Sequence, residues 1–178
     1  MASVAVITSA IPERLDLLAE CLESVRSQTR QPDEHLICID YGHRGTSHTL
    51  NRALAGVTSD FVAVLQDDDT AYPNHLEVLL GNCDGVDVVY PRCDADWPVV
   101  NLDADFNARL LKYCNYIPAT ALIRTEILRR VGGWPDAAWE DHELWKVLVD
   151  AGARFRKVDE VTWHYRRHGR PQKTFGTL

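Results

Sequence analysis

Apolar and polar positions follow two rhythms along this chain, and the rhythms trade places regularly through its first half. Residues 3–8 (SVAVIT) are a short β-branched run, which predicts a buried strand. Pro12 ends it, and Leu15, Leu18, Cys21, Leu22 and Val25 then recur at helical spacing. Residues 35–40 (HLICID) predict a second strand, closed by Gly42 and Gly45. A short helix follows over 47–55, with Leu50, Ala53 and Leu54 on one side. Residues 61–65 (FVAVL) are a third strand, Pro73 opens a helix with Leu76, Leu79 and Leu80 inward, and residues 86–90 are a fourth strand. This β-α-β-α-β-α-β order predicts an α/β fold with a mostly parallel central sheet flanked by helices.

The second half is less regular. Residues 92–116 carry several Asp and Asn residues and no clean period, which predicts loops with one short helix near 106–113. Residues 119–124 (ATALIR) predict a strand, followed by a short helix to Val131 and a stop at Gly132-Gly133. Residues 140–151 form an amphipathic helix with Leu144, Trp145, Leu148 and Val149 inward, and 154–158 and 161–165 are two closing strands. No repeat, low-complexity stretch or linker interrupts the chain. Its 178 residues, 46% of them hydrophobic, fit one domain with a proper core.

The chemistry gathers where strands end. Asp67, Asp68 and Asp69 follow the third strand with no base between them. Three neighbouring carboxylates repel one another unless a cation compensates them, and an all-oxygen set favours Mg2+ or Mn2+. A solvated acidic turn capping the helix at Pro73 is the alternative. In open α/β sheets, however, ligands bind beyond the carboxyl ends of the strands. Thr8-Ser9, Asp40 and the Asp triplet all fall at such ends.

Net charge narrows the partners. At −7 the surface is not built to attract nucleic acid. The late stretch with Arg154, Arg156, Lys157, Arg166, Arg167, Arg170 and Lys173, against only Asp159 and Glu160, instead suits a local anion such as a phosphate group. The five cysteines form no C-x-x-C pair, which reads as reduced thiols and a cytoplasmic protein. Neither a signal peptide nor an apolar run of membrane-spanning length is evident. No P-loop, G-x-G-x-x-G or G-x-S-x-G pattern supports a kinase, dinucleotide enzyme or serine hydrolase.

Taken in order, these stretches resemble the family 2 glycosyltransferases, which have the GT-A fold. Val6-Ile7-Thr8-Ser9 and the helix ending Ser24-Val25-Arg26-Ser27-Gln28-Thr29 look like that family's first βα unit. Asp40-Tyr41-Gly42 falls at its Asp-Asp-Gly-Ser turn, and Gly45 with Asn51 matches its Gly-x-x-x-x-x-Asn pattern. Leu65-Gln66-Asp67-Asp68-Asp69, with Pro73 beyond, resembles the metal-binding strand end. The run from Ile127 to Trp134 resembles the stretch before the catalytic helix, and Trp139-Glu140-Asp141-His142-Glu143-Leu144-Trp145 the Glu-Asp-x-x-Leu-Trp signature.

The resemblance implies an inverting, metal-dependent, hexosyltransferase-type enzyme that moves a sugar from a nucleotide diphosphate to an acceptor. A UDP-sugar is the first choice of donor, with Mn2+ or Mg2+ as the cofactor. Residues 1–91 would form the nucleotide- and metal-binding half, and residues 92–178 the acceptor and base half. By position, Thr8, Ser9, Asp40, Tyr41, Asn51, Asp67, Arg166 and Arg167 would face the donor. Asp67, Asp68, Asp69 and His164 would serve the metal. Asp141 would be the general base with Glu140 beside it, near a helix start whose dipole favours the ionised form. Trp134 and Trp139 would wall the acceptor, with Trp97 and Trp163 as further stacking candidates and Trp145 in the core. His142 reads as a helix-surface residue, and His168 as an ordinary polar one.

The chain departs from the family pattern at four places. Gln66 replaces the first Asp of the metal motif, leaving the metal to Asp68 with Asp67 or Asp69. Tyr41 replaces the second Asp of the turn, Leu50 an Arg, and Ala10 an aromatic. The acceptor is open: a saccharide, a lipid-linked saccharide, a protein or a small molecule. The acceptor site would come from residues 92–116 and 134–141, or from a second subunit in a homo-oligomer. Rival readings are a silent sugar-nucleotide-binding module, and a nucleotidyltransferase or sugar-nucleotide hydrolase. The second suffers from residues 8–15 (TSAIPERL), which are not Gly-rich; the first has no use for a positioned base.

Overall fold

The computed structural model describes residues 2–96 and 104–169; Trp97, Arg170 and Lys173 lie outside them. Among the described residues the chain builds one seven-stranded sheet in the order β2-β1-β3-β6-β5-β7-β4. The strands are β1 (Val4–Ala10), β2 (Glu34–Ile39), β3 (Phe61–Val64), β4 (Thr70–Ala71), β5 (Val88–Ala95), β6 (Leu122–Arg124) and β7 (Phe155–Tyr165). The helices are α1 (Leu15–Arg26), α2 (Thr46–Leu54), α3 (His75–Gly81), α4 (Thr125–Arg130) and α5 (Glu140–Asp150).

β1 is buried along its whole length because both of its faces are covered. Ala5 and Ile7 point into a core with Leu50, Val62, Val64, Leu144 and Trp145, and Val4 and Val6 into one with Cys21, Val25, Ala63 and Leu79. The two-residue period of a strand thus sorts consecutive side chains into two cores. α1 buries Leu18, Cys21 and Val25, while Leu15 stays exposed. An isolated helix of this length is marginal in water; three buried side chains, at roughly 1.5–3 kcal/mol each for full burial, hold it in place.

The mostly parallel expectation holds: five of the seven strands, β2, β1, β3, β5 and β7, run in one direction. β1 pairs in parallel with β2 and β3, and β5 with β7. β6 enters antiparallel between β3 and β5, and β4 pairs antiparallel with β7. The sheet is therefore mixed. Strand direction is set by pairing between distant segments, which local pattern does not encode.

Other expectations shift in detail. The two closing strands are one strand, β7, whose register against β5 slips between Tyr90 and Arg92 and again between Arg92 and Cys93. This irregularity lets Asp159, Glu160 and Val161 stay exposed within a continuous strand. Near 106–113 the helix is a single 3-10 turn at Leu110–Lys112. The two-residue β4 was not legible at all, yet it ties the Asp triplet to the end of β7 through the pairs Thr70–His164 and Ala71–Trp163.

Candidate active site

The ladder between β1 and β3 continues past β3, with Leu65 N–H donating to Ile7 O (3.0 Å) and Asp67 N–H to Ser9 O (3.2 Å). That delivers the triplet to the carboxyl end of the parallel strands. All three aspartates are buried. Asp67 Oδ2 accepts from Ile11 N–H (3.0 Å) and from Arg14 Nε (3.2 Å), and its Oδ1 lies 2.7 Å from Arg14 Nη2. Arg14 Nη1 contacts Asp68 Oδ2, which also lies 3.1 Å from His168 Nε2. Asp69 Oδ1 accepts from Arg166 N–H at 3.2 Å. Burial raises the pKa of Asp67 to about 6, against the pull of Arg14, and burial beside Asp68 pushes Asp69 well above the usual carboxylate range.

Several residues placed at the donor or metal from sequence sit differently. His164 faces Asp94 Oδ1 (3.0 Å) and Asp96 Oδ1 (3.2 Å) rather than the triplet; it is His168 that reaches Asp68. The Arg166 guanidinium pairs with Glu20 at 2.9 Å, and Arg167 N–H donates to Asp96 Oδ2 at 2.8 Å. Thr8 turns towards α1 and β2, its hydroxyl 2.9 Å from His35 Nε2, while Ser9 is buried one residue further on. Asp40 holds its own turn, accepting from Arg44 N–H (3.0 Å) and Gly45 N–H (2.8 Å), and leaves Tyr41 72% exposed at the strand end.

Asn51 is engaged in a different task. Its amide donates to Trp134 O and accepts from Trp134 N–H, both at 2.8 Å. Ser47 Oγ donates to Pro135 O at 2.7 Å. α2 thereby holds the loop that leads to α5. Gly133 makes the approach possible: its φ is +81°, and a Cβ there would lie 2.1 Å from Asn51 Oδ1. Trp134 belongs to the buried core, so the acceptor-wall expectation passes to Trp139, which is 41% exposed at the head of α5.

α5 runs down to the amino end of β7, so its first turn lies at the same end of the sheet as the triplet. Glu140 and Asp141 are both buried there. Asp141 Oδ2 accepts from Asn115 Nδ2 (3.0 Å) and its Oδ1 from His142 N–H (2.8 Å). The helix start by itself favours the ionised form. Burial and the neighbouring Glu140 charge win instead, and raise the pKa to about 6 against those two hydrogen bonds. A carboxylate with that pKa accepts a proton effectively near neutral pH.

Arg14, Asn115 and His168 were missed from sequence. Arg14 carried a usable signal, a cation just beyond the first strand's carboxyl end. Asn115 and His168 carried none, because each reaches the site from an irregular segment.

The residues suit a divalent ion only in part. Among the described residues no group of three His, Cys, Asp or Glu side chains could hold a metal on its own. Asp68 and His168 offer two ligands, while both oxygens of Asp67 face the Arg14 guanidinium instead. Such a set fits Mg2+ or Mn2+ completed by substrate phosphate oxygens and water.

The chain has the GT-A fold. It superposes on S. aureus TarS 1-349 in complex with UDP-GlcNAc with a TM-score of 0.78 at 15% identity, over 95% of this chain and 60% of that one. It also superposes on the mannosyltransferase PcManGT from Pyrobaculum calidifontis in complex with GDP-Man and Mn2+, with a TM-score of 0.67 at 18% identity, over 93% of this chain and 56% of that one. In sequence it is 35% identical over 132 residues to the pre-mycofactocin glycosyltransferases of two Mycobacterium tuberculosis strains, CDC 1551 / Oshkosh and ATCC 25618 / H37Rv. That match takes in 64% of this chain and spans 28% of the length of those relatives. No family model matches. Among the described residues no helix is long and apolar enough to cross a membrane.

Proposed function

We propose that this chain catalyses inverting transfer of a sugar from a nucleotide diphosphate to an acceptor hydroxyl, with Asp141 as the base. The observation that carries this reading is the buried, proton-accepting carboxylate of Asp141 at the same end of the sheet as the Asp67–Asp69 cluster. The sugar-nucleotide complexes of the structural neighbours and the glycosyltransferase names of the sequence relatives support it.

In this reading Asp68 and His168 would hold a divalent ion, Mn2+ or Mg2+, which would supply positive charge beside the leaving diphosphate. Tyr41, exposed beyond β2, offers a ring face to the donor base. Asn115 orients Asp141 so that its carboxylate takes the proton of the acceptor hydroxyl as that oxygen attacks the anomeric carbon. Burial around Asp141 excludes water that would compete for the sugar. Trp139, beside the base, matches the apolar face of a saccharide acceptor.

The test is binding of UDP, GDP, dTDP and CDP by thermal shift and calorimetry, each with Mn2+ and with EDTA. One diphosphate, UDP first, should stabilise the protein in Mn2+ and lose its effect in EDTA, and Asp68→Ala should abolish the metal dependence. Folded protein that answers to none of the four would favour a silent module.

A further inference from the structure

Arg14 closes the 3-10 turn Pro12–Arg14 directly beyond β1, and its guanidinium lies between two aspartates. The Nε and Nη2 edge engages Asp67 side-on, at 3.2 Å to Oδ2 and 2.7 Å to Oδ1. The remaining nitrogen, Nη1, contacts Asp68 Oδ2. Asp67 is anchored a second time by Ile11 N–H and its side chain is wholly buried, whereas Asp68 Oδ2 is shared with His168. Arg14 is thus held firmly by one carboxylate and by a single nitrogen to the other.

The shared oxygen creates a conflict. Asp68 and His168 are the pair that suits a divalent ion, yet Nη1 already occupies Asp68 Oδ2 with positive charge. Two cations at one carboxylate oxygen repel strongly in a buried setting unless a further anion arrives with the second. A diphosphate is such an anion, and Nη1 is left to donate to it once the Asp68 carboxylate turns from Arg14 to the metal. The side-on pair with Asp67 keeps the guanidinium plane in place during that exchange.

We propose that Arg14 is a built-in cation that guards Asp68 against free metal and, when metal arrives with the donor, transfers its Nη1 contact from Asp68 to the diphosphate. This rests on the nucleotide-sugar reading above. Metal and nucleotide then bind with mutual assistance, because each removes an obstacle to the other, and by reciprocity the factor is the same in both directions.

The experiment is Mn2+ binding, followed by electron paramagnetic resonance, with and without UDP or whichever diphosphate the wild type binds. Without nucleotide, Arg14→Met should bind Mn2+ about tenfold or more tightly than wild type. With Mn2+ present it should bind the diphosphate about tenfold or more weakly, and the mutual assistance should shrink accordingly. Because Arg14→Met strands the buried Asp67 charge, the paired variant Arg14→Met/Asp67→Asn is measured beside it; that pair removes both charges and should show the same gain in Mn2+ affinity. Arg14→Lys, which keeps the charge, should bind free Mn2+ no better than wild type. Unchanged or weaker nucleotide-free Mn2+ affinity in a folded Arg14→Met or paired variant overturns the guarding role. Unchanged coupling overturns the transfer of the contact to the diphosphate. A wild type that binds Mn2+ but no nucleoside diphosphate overturns the nucleotide-sugar reading, and the transfer step with it, while the guarding role stands or falls on the Mn2+ comparison.

Discussion

Asp141 has its two oxygens in unequal company, one accepting from Asn115 and the other from the adjoining His142 N–H. Burial and Glu140 raise its pKa to about 6, and the Asn115 hydrogen bond works in the opposite direction. A base acts only when ionised, so donor turnover should climb as pH rises through about 6 and level off above it. Asn115→Ala removes a contact that favours the charged form, so its acidic limb should move to higher pH; a limb that stays put would separate Asn115 from the base. Asp141→Asn should abolish turnover and leave diphosphate binding nearly intact. The readout is kcat/KM against pH, with slow hydrolysis of the donor standing in for transfer. The sequence made Asp141 legible through its signature, but not its pKa, because burial is a property of the whole surround.

Among the elements, the join between α2 and the loop before α5 is the most exacting. Asn51 pairs with both backbone groups of Trp134, and Gly133 leaves room for it. Gly132 also has a positive φ, +89°, but nothing lies within 4 Å of where a Cβ would be. Comparing the two glycines separates backbone strain from the Asn51 contact. Gly132→Ala should cost about 1–2 kcal/mol, the penalty of a left-handed residue. Gly133→Ala should cost roughly 2 kcal/mol more, since the added carbon displaces a side chain holding two hydrogen bonds of about 1 kcal/mol each. Chemical denaturation of the two variants checks it. Equal losses would mean that the Asn51 bonds contribute nothing net. The sequence marked Gly132-Gly133 as a helix stop and Asn51 as a family position, while the bond from Asn51 to Trp134 spans 83 residues in sequence and left no local trace.

For the chain as a whole, buried titratable groups pull stability in opposite directions with pH. His75 is buried against Thr162, Nδ1 to Oγ1 at 2.8 Å, and burial lowers its pKa to about 4. The unfolded chain therefore binds the proton first, and the fold loses stability as pH falls from about 6.5 towards 4. Asp67 and Asp141 run the other way: their raised values favour the fold at low pH, and that contribution is lost as pH rises through about 6. His75→Gln removes one side of the contest. The stability of wild type minus that of the variant should shrink by up to about 1.4 kcal/mol per pH unit between those limits. Urea unfolding at pH 7.5, 6 and 5 measures the difference, and a constant gap would remove His75 as the acid-sensitive group.

Local order was written into this chain directly. The β-branched apolar runs of β1 and β3, the three- and four-residue spacing of Leu18, Cys21 and Val25, and the stops at Pro12 and Gly132-Gly133 each depend on near neighbours. So does the arrival of Asp67, Asp68 and Asp69 at a strand's carboxyl end, which follows once the strand is recognised. What required the folded chain were contacts between distant segments. β6 runs antiparallel to both of its neighbours, and β4 brings His168 to Asp68 across 100 residues of sequence. Arg14 joins Asp67 across 53 residues and Asn115 joins Asp141 across 26. Periodicity encodes which face of an element is buried; it carries no record of which other element will cover that face, and the charge-bearing pairs of this site are set by that second choice.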